Sequence, residues 1–201
     1  MIKTNYSRAF KVFAKHYNGV PLEIFIKPYE ALISTLLSSR TNDDTTLVVC
    51  NKLFKKAPNI RSLDKLDESE IRNLIYPVGF YNTKAKNLKK LATQIITNFG
   101  GEIPSDKEDL IKLRGVGIKT ANLVLVRAFK KPAISVDTHV HRICNMLGWV
   151  KTKTPEQTER ELVSILPKKY WLDINRYFVS VGRQYRSKKQ LREFLEKNKL
   201  I

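Results

Sequence analysis

The sequence predicts an all-α fold. Nearly every segment repeats its apolar residues with the helical period, and none shows the strict alternation of a half-buried strand. Residues typical of helix starts recur, as at Thr154-Pro155, where a capping residue precedes a proline in the first turn. The chain has 201 residues, of which 42% are hydrophobic, so it is long enough for one full core or two smaller ones.

The helices are predicted from these signals in chain order. They lie near residues 5–17, 28–39, 43–56, 68–76, 83–98, 105–112, 117–130, 137–147, 155–166, 170–180 and 188–198. Capping-box spacing occurs at three of the starts, in the pairs Ser105/Glu108, Thr154/Gln157 and Ser187/Gln190. Asn82 and Asp137 are suitable N-caps for the helices that follow them.

The charge balance indicates a polyanionic partner. The chain has 37 Lys and Arg against 19 Asp and Glu, a formal net charge of +18. Nucleic acid is the first candidate and an anionic membrane surface the second, while a basic surface without a partner stays open. No apolar run approaches the length needed to span a bilayer.

The only two cysteines, Cys50 and Cys144, lie far apart in the sequence. This excludes a disulfide scaffold and any cysteine-held zinc or iron–sulfur site within these residues. We expect both thiols to be reduced, partly buried and inert.

The most informative stretch is LRGVGIKTAN at 113–122. Two glycines two positions apart, between a short helix and a strongly apolar one, predict a tight helix–turn–helix. We expect Gly115 and Gly117 to adopt positive φ, and the backbone N–H groups of Gly115, Val116 and Gly117 to bind one phosphate at the helix start. An ordinary turn between two helices is the alternative for a lone pair of glycines.

Three further blocks extend this motif. SVDTHVHR follows at 135–142, and LLSSRTNDD at 36–44 and GFYNTKAKN at 79–87 precede it. In this order and spacing, the four blocks resemble the endonuclease III family of helix–hairpin–helix DNA glycosylases. The resemblance covers roughly residues 25–182, and it implies base-excision repair of damaged duplex DNA.

The resemblance assigns the chemistry to Lys119 and Asp137. Lys119 matches the family's amine nucleophile, which attacks the sugar C1′ and forms a Schiff base, so glycosylase and AP lyase activities are implied together. An amine must lose its proton to attack, and we expect partial burial to lower the pKa of Lys119. Asp137 matches the carboxylate that stabilises cationic character at C1′. A surface lysine and a simple helix cap are the respective alternatives.

Other matched positions are candidate DNA contacts. Arg40 and Phe80 lie where the family places side chains that fill and wedge the gap left by a flipped nucleotide. His139 and Lys84 are candidate phosphate contacts. The alternatives are core packing for Phe80, a phosphate contact for Arg40 and a solvated charge for Lys84.

The chain departs from the family at its C-terminal end. Most relatives carry four cysteines there for a [4Fe–4S] cluster, whereas residues 182–201 contain none and hold seven Lys/Arg against two Glu. We expect no cluster, and a helix near 188–198 in its place with Leu191, Phe194 and Leu195 inward. Lys188 and Lys189, together with Arg192 and Lys199, would face DNA. Arg114 stands where relatives carry proline, and a cation bound by the hairpin carbonyls remains open.

The resemblance implies two helical domains with DNA in the cleft between them. Residues 22–131 would form a six-helix barrel domain, and 1–21 with 132–201 a second domain that brings Asp137 opposite Lys119. The expected substrate is a damaged pyrimidine; 8-oxoguanine, a mismatched base, or a non-catalytic DNA-binding module are the alternatives. We expect a monomer that is cytoplasmic and nucleoid-associated in a prokaryote.

Overall fold

A computed structural model describes residues 5–201, and the predicted all-α fold is confirmed: in this range the chain forms helices and no strand. The α-helices are α1 (Tyr6–Lys15), α2 (Pro28–Ser38), α3 (Asp43–Lys56), α4 (Ile60–Lys65), α5 (Glu68–Ile75), α6 (Tyr81–Phe99), α7 (Lys107–Lys112), α8 (Ile118–Phe129), α9 (Thr138–Met146), α10 (Pro155–Ile165), α11 (Ile174–Gln184) and α12 (Lys188–Lys197). Residues 1–4 of the predicted second domain lie outside the described residues.

By its internal contacts the chain divides into two compact units. The hairpin unit, Pro21–Lys131, contains α2 to α8 and the LRGVGIKTAN motif. The terminal unit consists of the described part of Met1–Val20 with Pro132–Ile201, and contains α1 and α9 to α12.

The hairpin unit is built around α2, which packs against α3 and α8. Leu32, Ile33 and Leu37 of α2 are fully buried, as expected for a helix that is apolar on most sides. The long helix α6 packs against α4 and α5 with its apolar side, which includes Leu88 and Leu91. Its other side chains remain available to contact the loops around it.

The terminal unit has an aromatic core. Phe13 and Phe178 meet edge-on with ring centroids 4.7 Å apart, and Phe10 packs in the same cluster. Helix α12 joins this core through Leu191, Phe194 and Leu195, as predicted. Its side chains therefore contribute to the stability of the unit.

Three predicted helix starts are confirmed. Thr154 accepts a hydrogen bond from the Gln157 amide, and Pro155 occupies the first turn of α10. Ser187 and Gln190 form the expected capping box of α12. Asp137 caps α9 by accepting from the Val140 amide at 2.9 Å. These starts depend only on local side-chain chemistry.

Other expectations are wrong. Asn82 lies inside α6, because Phe80 takes a left-handed conformation and the helix begins at Tyr81. Ser105 does not cap α7; its hydroxyl and carbonyl oxygens accept from Lys131 Nζ at 3.1 and 2.6 Å.

One helix was not predicted, and another begins later than predicted. The short helix α4 is absent from the prediction; it is closed by a capping box between Asn59 and Ser62. The helix expected near 170–180 is α11, which begins only at Ile174, after a 3-10 turn at Lys168–Tyr170.

We predict that Leu195→Ala in α12 lowers the free energy of unfolding by about 2–5 kcal/mol, since a fully buried leucine leaves a cavity when truncated. Glu196→Ala, at an exposed position of the same helix, is the matched control and should stay within about 0.5 kcal/mol of wild type. Chemical denaturation measures both. Equal stabilities for the two variants would mean that α12 is not part of the core.

Candidate nucleic-acid interface and catalytic residues

The hairpin turn joins α7 to α8 through two buried apolar side chains. Leu113 and Val116 are buried, and the Val116 amide donates to the Leu113 carbonyl at 3.0 Å, which closes the turn. The expectation that the Val116 amide binds a phosphate is therefore wrong for the turn as it stands, because that amide is used within the turn. Gly115 has φ +80°, as expected. The expectation for Gly117 is wrong, since its φ of −99° is ordinary extended backbone. Gly117 instead provides space: a Cβ there would have no heavy atom within 4 Å.

Gly117 is also the N-cap of α8, and no side chain caps the helix there. The N-terminus of a helix carries partial positive charge and amides without intrahelical partners. An open helix start beside a turn without side chains can accept an anionic oxygen through backbone groups.

Side chains of α6 hold the turn in place. The Arg114 amide donates to Gln94 Oε1 at 2.9 Å, and Gln94 Nε2 donates to the Lys112 carbonyl at 3.0 Å. Arg114 Nε donates to Asn87 Oδ1 at 3.1 Å. Arginine at this position thus adds a side-chain bond to α6.

Lys119 lies in the first turn of α8, one residue after the helix begins. Its side chain is exposed, so the expected partial burial is wrong for the protein without DNA. An exposed amine next to an open helix start can reach a group bound at that start.

Asp137 and His139 lie at the start of α9. The carboxylate of Asp137 is held by the Val140 amide, and the side chain is half-buried. His139 packs against α11 at Gly182, where an added Cβ would come within 2.5 Å of His139 Nδ1. Glycine at 182 therefore allows the imidazole to lie against the backbone of α11.

Arg40 and Phe80 lie together in the hairpin unit. The Arg40 guanidinium carbon is 5.2 Å from the centre of the Phe80 ring, a cation–π distance. Phe80 is 60% exposed, which argues against core packing. Both residues have positive φ, 53° and 59°, which is unusual without glycine. Such backbone strain is typical of functional sites.

Lys84 points toward the loop of Arg40. Its Nζ donates to the carbonyls of Leu37 and Ser39 at 2.7 and 2.6 Å, and Thr41 Oγ1 lies at 3.4 Å. Burial lowers the pKa of Lys84 to about 8, because desolvation disfavours the charged form. A cavity of about 210 Å³ between Lys84, Asn87 and Arg114 separates this loop from the hairpin turn.

The basic side chains of α12, and that of Lys199 after the end of the helix, face solvent. Lys188, Lys189, Arg192 and Lys199 are all exposed. Lys189 makes a loose ion pair with Glu193 at 4.0 Å, which surface screening weakens. Phe194 fixes the opposite side of the helix by stacking on Tyr185 with centroids 4.3 Å apart.

The described side chains do not form a cage for a metal. Among residues 5–201, no group of three or more His, Cys, Asp or Glu side chains could bind one. Both cysteines are buried, and burial raises the pKa of Cys50 to about 12 and that of Cys144 well above its usual value. No helix in this range has the length and apolar character to cross a bilayer.

Comparison with known proteins decides the family. Residues 33–168 match the model of the HhH-GPD superfamily of base excision DNA repair proteins. The chain belongs to this superfamily. It is 46% identical over 157 residues to endonuclease III of Thermotoga maritima, covering 78% of this chain and 74% of the relative. It is 45% identical over 172 residues to a chloroplastic endonuclease III homologue of Arabidopsis thaliana, of which it spans 45%.

Solved structures agree with this membership. An endonuclease III in a non-covalent complex with DNA superposes with a TM-score of 0.84 at 32% identity, over 94% of this chain and 90% of the other. A trapped covalent endonuclease III–DNA intermediate gives 0.80 at 31% identity, over 93% and 89%. The resemblance found in the sequence is confirmed: the HhH-GPD protein described here is a base-excision DNA glycosylase, and AP lyase activity is typical of its endonuclease III relatives.

Sequence reasoning missed the residues that support the site. Asn87, Gln94 and Gly182 act through hydrogen bonds or space that depend on the tertiary fold. Arg142 is a further case, because its Nη2 donates to the carbonyls of Gly182 and Tyr185 at 3.0 Å and closes the end of α11. Two of them lie within blocks that carry the family resemblance, Asn87 in GFYNTKAKN and Arg142 in SVDTHVHR, but the motifs alone do not indicate their roles.

We predict that alanine separates the roles of the two hairpin glycines. Gly115→Ala should lower the unfolding free energy by about 1 kcal/mol, because an L-residue is strained at its positive φ. Gly117→Ala should leave stability unchanged but weaken duplex binding about tenfold, since the new Cβ occupies the approach to the helix start. Thermal unfolding and fluorescence anisotropy with a labelled duplex measure these effects. Unchanged affinity of Gly117→Ala would contradict phosphate binding there.

Proposed function

We propose that the protein removes oxidised or otherwise damaged pyrimidines from duplex DNA and then cleaves the strand, with Lys119 as nucleophile. The observation that carries this proposal is the exposed Lys119 amine in the first turn of α8, directly after an uncapped helix start. A DNA phosphate held by the hairpin amides would bring a deoxyribose within reach of that amine.

The reaction balances with these groups. The Lys119 amine forms a bond to C1′ as the bond from C1′ to the base breaks, and the electron pair leaves with the base. The nitrogen then loses a proton, the bond from C1′ to the ring oxygen breaks, and the oxygen takes up a proton as a protonated Schiff base forms between C1′ and the nitrogen. Removal of a C2′ proton then breaks the bond from C3′ to oxygen, which releases the 3′ phosphate and cuts the strand. The amine must enter this sequence unprotonated, because only the neutral nitrogen has the electron pair that attacks C1′.

Asp137 supplies negative charge to the same sugar. Its carboxylate is fixed by the Val140 amide, so its orientation does not have to be set during the reaction. We propose that it stabilises positive charge developing at C1′. In this proposal the two units are the two expected domains, and Lys119 belongs to the hairpin unit and Asp137 to the terminal unit.

The remaining candidates bind the duplex. Arg40 and Phe80, one charged and one apolar, form a single exposed pair suited to replacing a flipped nucleotide. His139, Lys188 and Lys189 would contact phosphates, in keeping with the formal charge of +18. The protein would act as a monomer at the nucleoid, because one hairpin and one catalytic lysine suffice for one lesion.

We also propose that the protein works without an iron–sulfur cluster. Its two cysteines are both buried and belong to different units. Helix α12 is held in the core by three buried apolar side chains, so its packing needs no cluster. The hairpin carbonyls could still bind a single cation alongside the phosphate. Metal analysis of the purified protein tests this part independently of activity, and stoichiometric iron would contradict it.

We predict that borohydride traps the wild type on a duplex with one thymine glycol, and that Lys119→Ala abolishes the adduct. The reason is that reduction fixes only a Schiff base with the attacking amine. Lys112→Ala, an exposed lysine of the same hairpin, is the control and should still trap. Trapping on 8-oxoguanine instead would change the lesion. Salt-sensitive binding without an adduct on any of these duplexes would contradict the proposed enzymatic activity and would favour a non-catalytic DNA-binding module.

We predict that Asp137→Asn and Asp137→Ala differ in stability but not in activity. Asparagine caps a helix nearly as well as aspartate, whereas alanine costs about 1 kcal/mol. Both variants lose the carboxylate charge, so single-turnover excision should fall at least about 100-fold in each. Denaturation and quenched-flow excision measure the two properties. Full activity of Asp137→Asn would reduce Asp137 to a helix cap.

A further inference from the structure

Lys84 makes its contacts within the protein, to the end of α2 and the loop after it. The Leu37 carbonyl belongs to the last turn of α2 and has no later amide of its own helix to bind it. Lys84 Nζ donates to this carbonyl at 2.7 Å and to that of Ser39 at 2.6 Å. With Thr41 Oγ1 at 3.4 Å, these groups account for the three donors of an ammonium. A phosphate would have to displace one of them.

The same loop is tied to the turn that presents Phe80. The Gly79 amide donates to Thr41 Oγ1 at 3.0 Å. A Cβ at Gly79 would come within 2.4 Å of the Arg40 carbonyl oxygen, so the two backbones touch. The Thr41 hydroxyl therefore connects the Arg40 loop both to Lys84 and to the turn before Phe80.

The backbone conformations of Arg40 and Phe80 are unfavourable without support from neighbouring groups. Arg40 and Phe80 have left-handed backbones without being glycine, and Arg40 follows directly after a carbonyl bound by Lys84. Contacts that over-determine the backbone are needed to keep such conformations. The half-buried Lys84 amine supplies them from the first turn of α6, which begins next to Phe80.

We propose that Lys84 is a positioning residue for the excision reaction, which holds the Arg40 loop so that Arg40 and Phe80 are preset to enter the duplex. It acts through Arg40 and does not bind DNA. The inference rests on the proposed function, because a preset wedge has a purpose only if a nucleotide is flipped.

A double-mutant cycle between Lys84→Met and Arg40→Ala tests this. Methionine keeps the length and the apolar stem but removes all donors. We expect Lys84→Met to slow single-turnover excision of thymine glycol by about 10- to 100-fold, as expected for a misplaced group. In the Arg40→Ala background it should add little further loss, because its effect passes through Arg40.

Binding measurements distinguish positioning from phosphate contact. The dependence of log affinity on log salt should have the same slope in Lys84→Met as in wild type, whereas loss of a phosphate contact reduces it by about 0.9. Lys90→Met, an exposed lysine of α6, controls for the loss of one charge. An additive cycle or a slope reduced by one contact would overturn the proposal, as would an excision rate equal to that of Lys90→Met.

Thr41→Val provides the second variant. It removes the hydroxyl from the loop side and leaves Lys84 in place, so it should reproduce the excision defect more weakly even if Lys84→Met fails to fold. A normal excision rate in Thr41→Val would count against the linked loops. 2-Aminopurine opposite the lesion reports insertion separately from chemistry, and its fluorescence change on binding should shrink in both variants.

The two proposals fail in distinguishable ways. If wild type neither excises thymine glycol nor traps on an abasic duplex, the proposed function fails while the 2-aminopurine signal still tests the loop. If wild type is active and the signal is identical in wild type and Lys84→Met, only the positioning role fails.

Discussion

Helix α6 provides the constraint on which the loops of the hairpin unit that are proposed to contact DNA depend. It begins at Tyr81, directly after Phe80; Lys84 in its first turn binds the Arg40 loop, and Asn87 and Gln94 bind the hairpin turn. The opposite side of the helix is buried against α4 and α5. Because one rigid element holds all three features, their separation is fixed before DNA arrives, which lowers the ordering cost of binding.

The structure also explains how a basic surface coexists with a stable terminal unit. The aromatic core formed around Phe13 and Phe178 is continued by Phe194, so α12 is anchored on one side. Its lysines can then face solvent without a folding role. In the HhH-GPD protein described here, packing of aromatic and aliphatic side chains anchors the C-terminal helix to the core of the terminal unit.

Much of this could be predicted from the sequence because the signals are local. Caps such as Asp137 and Ser187 need only a side chain and the following amides, and the hairpin motif is contiguous. The prediction that Ser105 caps a helix is wrong because Lys131, 26 residues away in the sequence, donates to its oxygens instead. Lys84 could be recognised from the sequence as a candidate site residue. Its role could not be predicted, because its partners are backbone carbonyls that only the tertiary fold brings close to it. Positive φ at Arg40 and Phe80 has no signal in residue type at all.

The proposed function requires that the hairpin amides bind a DNA phosphate and thereby deliver C1′ to Lys119. A crystal structure of the borohydride-trapped complex with a lesion-containing duplex tests it most directly. We expect a covalent bond from Lys119 Nζ to C1′ and a backbone phosphate within hydrogen-bonding distance of the amides around Gly117. A covalent bond from another amine to C1′ would contradict it, as would a complex in which no phosphate contacts the hairpin amides.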